Sequence, residues 1–391
     1  MKKHLLLMFS ALSILPASAR RVTLTVSNSG NNQRQEVVEV DLGTVCRTAG
    51  CSNDAQLTVR NGFGQEVACQ RTSDGKLLID VAVQPHGNAV YTIDEGKPSD
   101  FRHYVYGRIF PERADDFAWE NDRGIYRMYG PALQRTGERS FGTDVWTKNT
   151  PELVLEQRYR QHNRGVRQRD SLRRAGKPGE AEEIYLATSF HHDHGYGLDC
   201  YGVGPSLGCG APALMKEGHL VFPWCYKECR IIDNGPLRLT FELTYGTTDE
   251  GTTEHRMVSL DKGSHFNRMT VWYDGIRQRT ALAAGVVLHG GDKPVLGKNY
   301  ILYADPTDNP KVNQTQIYVA TLFPNGIDKA VTLEGEKPHA VGVVNGYKGE
   351  RYTYYFGSAW SSYDVGTQAQ WQLTVDTFLN NLSNPLKIEI K

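Results

Sequence analysis

The chain has 391 residues, with 44 Lys and Arg against 44 Asp and Glu, a formal net charge of zero. Such a balance supplies no global field to gather nucleic acid or an anionic membrane, so neither is expected as a partner. The length exceeds one ordinary domain, and one large domain with a smaller companion is expected.

The first nineteen residues read as a cleavable secretion signal. Lys2, Lys3 and His4 precede an apolar run, Leu5–Leu15, and Pro16-Ala17-Ser18-Ala19 supplies a small-x-small cleavage site. The run is too short to cross a hydrocarbon core, which needs about 20 apolar residues, and no later stretch is apolar enough. No membrane anchor is therefore expected in the mature chain, which keeps 42 basic and 44 acidic residues, a net charge of −2. No cysteine follows the apolar run, so a soluble periplasmic protein is the expectation.

Residues 20–98 read as a small β-sandwich. Val22–Val26, Glu36–Asp41, Gln56–Arg60, Lys76–Ala82 and Ala89–Ile93 alternate or run apolar, with Asn-Gly, Asp-Gly and His-Gly turn pairs between them. Seven cysteines in an exported chain permit disulfides, and Cys46 and Cys51 flank a loop short enough to pair locally.

Residues 99–391 read as a larger unit. The stretch to Gly235 is irregular and rich in aromatic and polar residues. Beyond it, Leu237–Tyr245, His255–Leu260, Phe266–Tyr273, Thr280–His289, Gln316–Phe323, His339–Val344, Tyr352–Ala359 and Trp371–Val375 read as strands of an antiparallel sandwich. The fold class is accordingly all-β. A basic insertion at about 151–183 breaks the pattern, either as a helical flap over a cleft or as a solvated surface insertion.

Two clusters carry candidate chemistry. In the first, Trp119, Tyr126, Tyr129 and Trp146 offer flat faces for pyranose rings, while Glu120, Asp122, Arg127 and Lys148 offer donors and acceptors for hydroxyls and carboxylates. An extended Tyr126–Gly130 puts Arg127 and Tyr129 on one face, with Met128 behind. In the second, Ser189–Gly204 packs His191, His192, His194, Asp193 and Asp199 among glycines. An extended run there turns His191 and Asp193 one way, His192 and His194 the other. A divalent metal is possible at His191, Asp193 and His194, although a lone His-x-x-His is a weak signal and no cofactor is firmly implied. Serine-triad, phosphate-loop and dinucleotide motifs are missing. A glycosidase carboxylate pair can be nominated from Asp115, Asp116, Glu120, Asp122 and Asp199.

The words Pro111–Asp122, Tyr126–Leu133, Gly142–Trp146 and His191–Gly204 resemble the family called domain of unknown function 4861. The resemblance implies a galactose-mutarotase-like β-supersandwich behind a small β module. Part of the family resembles dehydratases that remove water from a non-reducing terminal uronic acid of an oligosaccharide, leaving a 4,5-unsaturated sugar. Such an elimination needs a cation on the carboxylate, a base for the C5 proton and an acid for the departing 4-hydroxyl. Arg127 or Arg113 suits the cation, His191 or His194 the base, and Tyr201 or Tyr129 the acid, with Asp193 or Asp199 orienting a histidine. His289, closing a predicted strand, completes the substrate-binding set. A sugar-binding or mutarotase-like protein and a glycoside hydrolase are the rival readings.

Overall fold

A computed structural model describes residues 21–391, and the predicted secretion signal lies outside them. Val22–Ser27 sits inside a five-stranded antiparallel sheet, between Asn88–Glu95 and the last strand of the chain, Lys387–Ile390. The C-terminus thus returns to the N-terminal module. A three-stranded sheet of Arg34–Asp41, Lys76–Val83 and Cys69–Arg71 belongs to the same module. Strand alternation points Val22, Leu24, Val26, Ile79, Val81 and Ile93 into one core.

Leu42–Ala49, unassigned in the sequence, is a helix. The Asp41 side chain accepts from the Thr44 amide at 2.7 Å, and Gly50 ends the helix at φ 71°. All seven cysteines are free thiols, including Cys46 and Cys51, whose expected bridge is not formed.

The larger unit is an antiparallel sandwich, as the all-β pattern predicts. Its eight-stranded sheet runs Tyr226–Asn234, Arg238–Tyr245, Thr253–Asp261, Phe266–Asp274, Tyr352–Trp360, Ile317–Leu322, Tyr300–Asp305, Val295–Leu296. The five-stranded partner runs His219–Val221, Cys209–Lys216, Thr280–Val287, His339–Tyr347, Lys329–Leu333. Residues from both sheets, among them Phe241, Met269, Val286, Val319 and Phe356, share one core.

Two readings are corrected. Trp371–Val375 belongs to a helix, Gln368–Ser383, opened by a Thr367/Gln370 capping box. Trp371 and Val375 are four apart, so both face the sheet, and an apolar pair at that spacing fits a helix as well as a strand. The stretch read as irregular contains a four-stranded sheet of Val105–Phe110, Asp116–Asn121, Ile125–Met128 and Asp144–Trp146.

The basic insertion forms two packed helices, Leu155–Arg174 and Pro178–Thr188. It is more than a solvated appendage. Leu155, Arg158, Tyr159 and His162, at helical spacing, are buried against the four-stranded sheet and the loop that follows the hairpin. Tyr159 stacks on Phe110 with ring centroids 3.8 Å apart. Its outer arginines remain exposed.

Glu120 anchors this hairpin. Its carboxylate accepts from Lys148 Nζ at 2.7 Å and from the Val154 and Leu155 amides at 3.1 and 2.7 Å, where the first helix leaves its donors open. Both side chains are sealed from solvent, so neither is a sugar ligand as the sequence suggested. Glu120→Ala strands the Lys148 charge and should lower stability by about 3–5 kcal/mol. Urea unfolding checks this, with the far-ultraviolet helical signal lost at a lower midpoint.

Candidate active site

The site forms where the four-stranded sheet, the first helix of the hairpin and the loop 189–204 meet. Arg113 closes a short turn, Pro111–Arg113, and the next two residues, Ala114 and Asp115, both take left-handed conformations at φ 55° and 62°. That double reversal starts the next strand with Asp116 buried. Gly130 lets the Asp115 carbonyl pass, since a Cβ there would stand 1.9 Å from it.

Arg127 lies at the centre. Its guanidinium is 2.5 Å from Asp144 Oδ2, 3.2 Å from Asp199 Oδ2 and 3.6 Å from Asp116 Oδ2. It sits 5.0 Å from the ring centroids of both Tyr129 and Trp146. Arg127 and Tyr129 therefore share a face, while Met128 packs in the core behind. Three carboxylates around one buried cation cannot all ionise cheaply. Burial accordingly pushes the Asp144 carboxyl up to about 7 and raises Asp116 and Asp199 as well. Arg127 stays protonated against its own burial, held by Asp144 and by Tyr129, Asp199 and Asp116.

His191 stands at the rim, with 42% of its side chain exposed. Its Nδ1 is 3.1 Å from the Asp199 carbonyl oxygen and 3.6 Å from Asp199 Oδ2. A carbonyl only accepts, so the neutral ring carries its proton on Nδ1 and leaves the Nε2 lone pair free. Burial lowers the His191 pKa, outweighing the carbonyl bond that works the other way. The ring is therefore neutral at pH 7, as a base must be.

Behind this rim, Tyr201 is buried and its hydroxyl has no hydrogen-bond partner. Its ring meets His289 edge-on at 5.4 Å. His289 Nδ1 lies 2.6 Å from Asp305 Oδ2, and its buried Nε2 is likewise unpartnered. Burial raises the Asp308 carboxyl, and His191 and His289 both counter that rise. Arg113 exerts its charge on Asp116, His162 and Asp199 without reaching ion-pair distance of any carboxylate. It is a half-buried cation with no acidic partner among the described residues.

Other expected site residues sit elsewhere. Trp119 is fully buried between Tyr126 and Phe241, its Nε1 donating to Asn267 Oδ1 at 2.7 Å, so it has no face for a sugar. Trp146, 1% exposed, is covered by Tyr159 and Phe190 and donates to Asp144 Oδ2 at 2.9 Å; it floors the site without offering a stacking platform. Asp122 accepts from the Gly263 amide at 2.7 Å and ties a hairpin to the large sheet.

The loop 189–204 is not extended, so the expected alternation of its histidines fails. Asp193 folds back to accept from the Gly195 and Gly197 amides at 2.8 and 2.9 Å, and His194 Nε2 bonds the Ser189 carbonyl at 2.9 Å. A Cβ at Gly197 would meet the Thr147 carbonyl at 2.2 Å, which is how closely this loop crosses the sheet. The proposed metal set thus has Asp193 and His194 engaged with backbone. Among the described residues no three His, Cys, Asp or Glu side chains are arranged to hold a metal ion.

Asp144, His162, Asp305 and Asp308 went unnoticed in the sequence. Asp144 had a signal in Asp144-Val-Trp146, a strand that places the carboxylate beside the indole. Asp305 and Asp308, which close and follow the strand Tyr300–Asp305, are brought in by the fold of the large sheet from far beyond the first cluster in the chain.

A glycosyl hydrolase family 38 protein from Enterococcus faecalis superposes over 97% of this chain and 48% of its own at a TM-score of 0.50 and 9% identity. An alpha-mannosidase from Enterococcus faecalis V583 superposes over 97% and 46% at a TM-score of 0.46 and 9% identity. The chain spans about half the length of these structures, and the first likeness concerns the fold alone. An uncharacterized protein P7 from Formosa agariphila is 27% identical over 317 residues, 76% of this chain and 73% of that protein. The family described as "Domain of unknown function (DUF4861)" matches residues 26–388, nearly the whole described chain, and the protein belongs to that family.

Proposed function

We propose that the protein is an exported, periplasmic carbohydrate-active lyase that eliminates water from a non-reducing terminal uronic acid of an oligosaccharide. One observation carries the reading: His191, half-exposed and with Nε2 free, stands against the buried Arg127–Asp199 pair, and Arg113 and the Tyr201 hydroxyl add a cation and a hydroxyl that have no partner among the described residues. The resemblance of the fold to a glycosyl hydrolase supports a sugar substrate.

In this reading Arg113 receives the substrate carboxylate, because Arg127 is already surrounded by three acidic groups. Neutralising the carboxylate makes the C5 proton acidic. His191 Nε2 removes that proton, its electron pair forms the C4–C5 double bond, and the C4–O bond breaks. Tyr201 gives its proton to the departing hydroxyl, so water leaves; Tyr129, whose pKa burial also raises, is the alternative donor. A proton then returns from the imidazolium to the phenolate. Asp199 orients His191 through its backbone carbonyl, and its carboxylate faces the imidazolium that forms. Arg127 holds Asp144 and Asp199 in place.

The hydrolytic alternative has one observation in its favour, the Asp144 carboxyl near 7, a value suited to a general acid. Asp144 is committed to Arg127 and to the Trp146 indole, whereas the Tyr201 hydroxyl is bound to nothing.

Incubation with uronate-terminated oligosaccharides should raise the absorbance of a conjugated double bond and lower the product mass by one water. A gain of one water on cleavage would instead establish hydrolysis, and bound but unchanged sugar would sink the enzyme reading. Tyr201→Phe removes a hydroxyl that bonds nothing, so the unfolding midpoint should hold while kcat falls about 10²–10⁴-fold. Arg113→Ala should act mainly on KM, with partial recovery in Arg113→Lys. Because His191 must be neutral, kcat/KM should rise with pH through a midpoint below 6.5, the ordinary histidine value. A midpoint above it would remove His191 as the base.

A further inference from the structure

A cleft of about 600 Å³ opens where the eight-stranded sheet, the strand Arg34–Asp41 and the helix Gln368–Ser383 come together. The sheet buries the neighbours of Arg268, Asn267 and Met269, in the interior, so Arg268 points outward, away from the Arg127 network. Ser259 stands opposite Arg268, and Arg268 opposite Tyr355, in adjacent antiparallel strands. These three side chains therefore form a row across the floor, about 5 Å apart. Thr377, Phe378 and Asn381 face them from the helix.

Charge in the cleft is unevenly matched. Arg34 forks onto Glu36, Arg238 is held by Asp261 and Glu39, and Lys262 pairs with Asp80. Arg268 alone of these four has no carboxylate at ion-pair distance among the described residues, and it is exposed. Beside it, Tyr355 and Phe378 meet edge-to-face at 5.1 Å and make an apolar wall. A free planar guanidinium, an aromatic wall and short hydroxyl and amide side chains are the groups that recognise a sugar carrying a carboxylate. The cleft shares no residue with the proposed active site, which lies beyond the four-stranded sheet.

We infer that this cleft is a second, non-catalytic site that holds one uronic-acid residue of an oligosaccharide, with Arg268 as its anion clamp. The inference rests on the proposed substrate class. Two separate sites let one protein keep a long chain near while its free end is processed, since a tethered ligand rebinds at raised effective concentration.

Calorimetric titration of the mature protein carrying His191→Ala, with trigalacturonate as probe and maltotriose as neutral control, tests it. The expected result is a trigalacturonate binding step that Arg268→Ala weakens about tenfold or more. Thr377→Trp, which fills the cleft, should abolish that step, and maltotriose should not bind there. Binding left unchanged by both substitutions, equal binding of maltotriose, or no binding of trigalacturonate would each overturn the inference. In the otherwise unaltered enzyme, Arg268→Ala should leave the elimination rate at saturating substrate unchanged. If no elimination appears while the Arg268-dependent step does, the proposed chemistry fails and the second site stands.

Discussion

Arg127 brings one positive charge into a space that Asp116, Asp144 and Asp199 share, and the site depends on this crowding. Each carboxylate comes from a different segment: two strands of the four-stranded sheet and the loop that follows the helical hairpin. The buried cation is thus the tie that holds those segments together. Removing one member leaves the others uncompensated in a poorly solvated place, where an unpaired charge costs far more than the pair contributes. The surplus of carboxylates over cations also means that protons stay in the cluster, as the raised Asp144 carboxyl shows.

The helical hairpin completes this arrangement from the far side. Arg158 donates to the Thr147 and Phe190 carbonyls and lies over the Trp146 ring, while His162 stacks on Phe190 at 3.7 Å. Burial pushes the His162 pKa down to about 3, so that ring adds no charge near His191. The hairpin is attached through Glu120, whose carboxylate binds both Lys148 and the first amides of the helix. Burial separates the charges near this site: the sealed Glu120–Lys148 pair holds the fold, while His191 and Arg113 are half-exposed.

His191 and Tyr201 occupy complementary positions. The histidine reaches solvent with one nitrogen committed to the backbone and the other free. The tyrosine is enclosed, its hydroxyl unpartnered beside a histidine that Asp305 orients. Unsatisfied buried polar atoms cost stability, and they persist where a ligand completes them. Tyr201 Oη and His289 Nε2 are two such atoms, on rings that meet edge to face.

Alternation and turn residues alone determined the β character of the chain, the longer strands of the N-terminal module and of the two large sheets, and the shared face of Arg127 and Tyr129, because pleating is local and repeats every two residues. The motif words around Asp116, Arg127 and His191 were equally legible. The sequence misled where one residue type serves two purposes. Trp119 and Trp146 are as suited to a core as to a sugar, and only their burial shows which. Glu120 and Lys148 looked like ligands because a buried ion pair and a binding pair have the same composition. The histidine loop departed from alternation because Asp193 and the glycines turn it back on itself. Tertiary structure alone decided that Arg113 has no acidic partner among the described residues, that Asp305 and Asp308 join residues far earlier in the chain, and that the terminal strand closes the first sheet. These are outcomes of long-range packing and of which charges share a buried space, and neither leaves a periodic trace in the sequence.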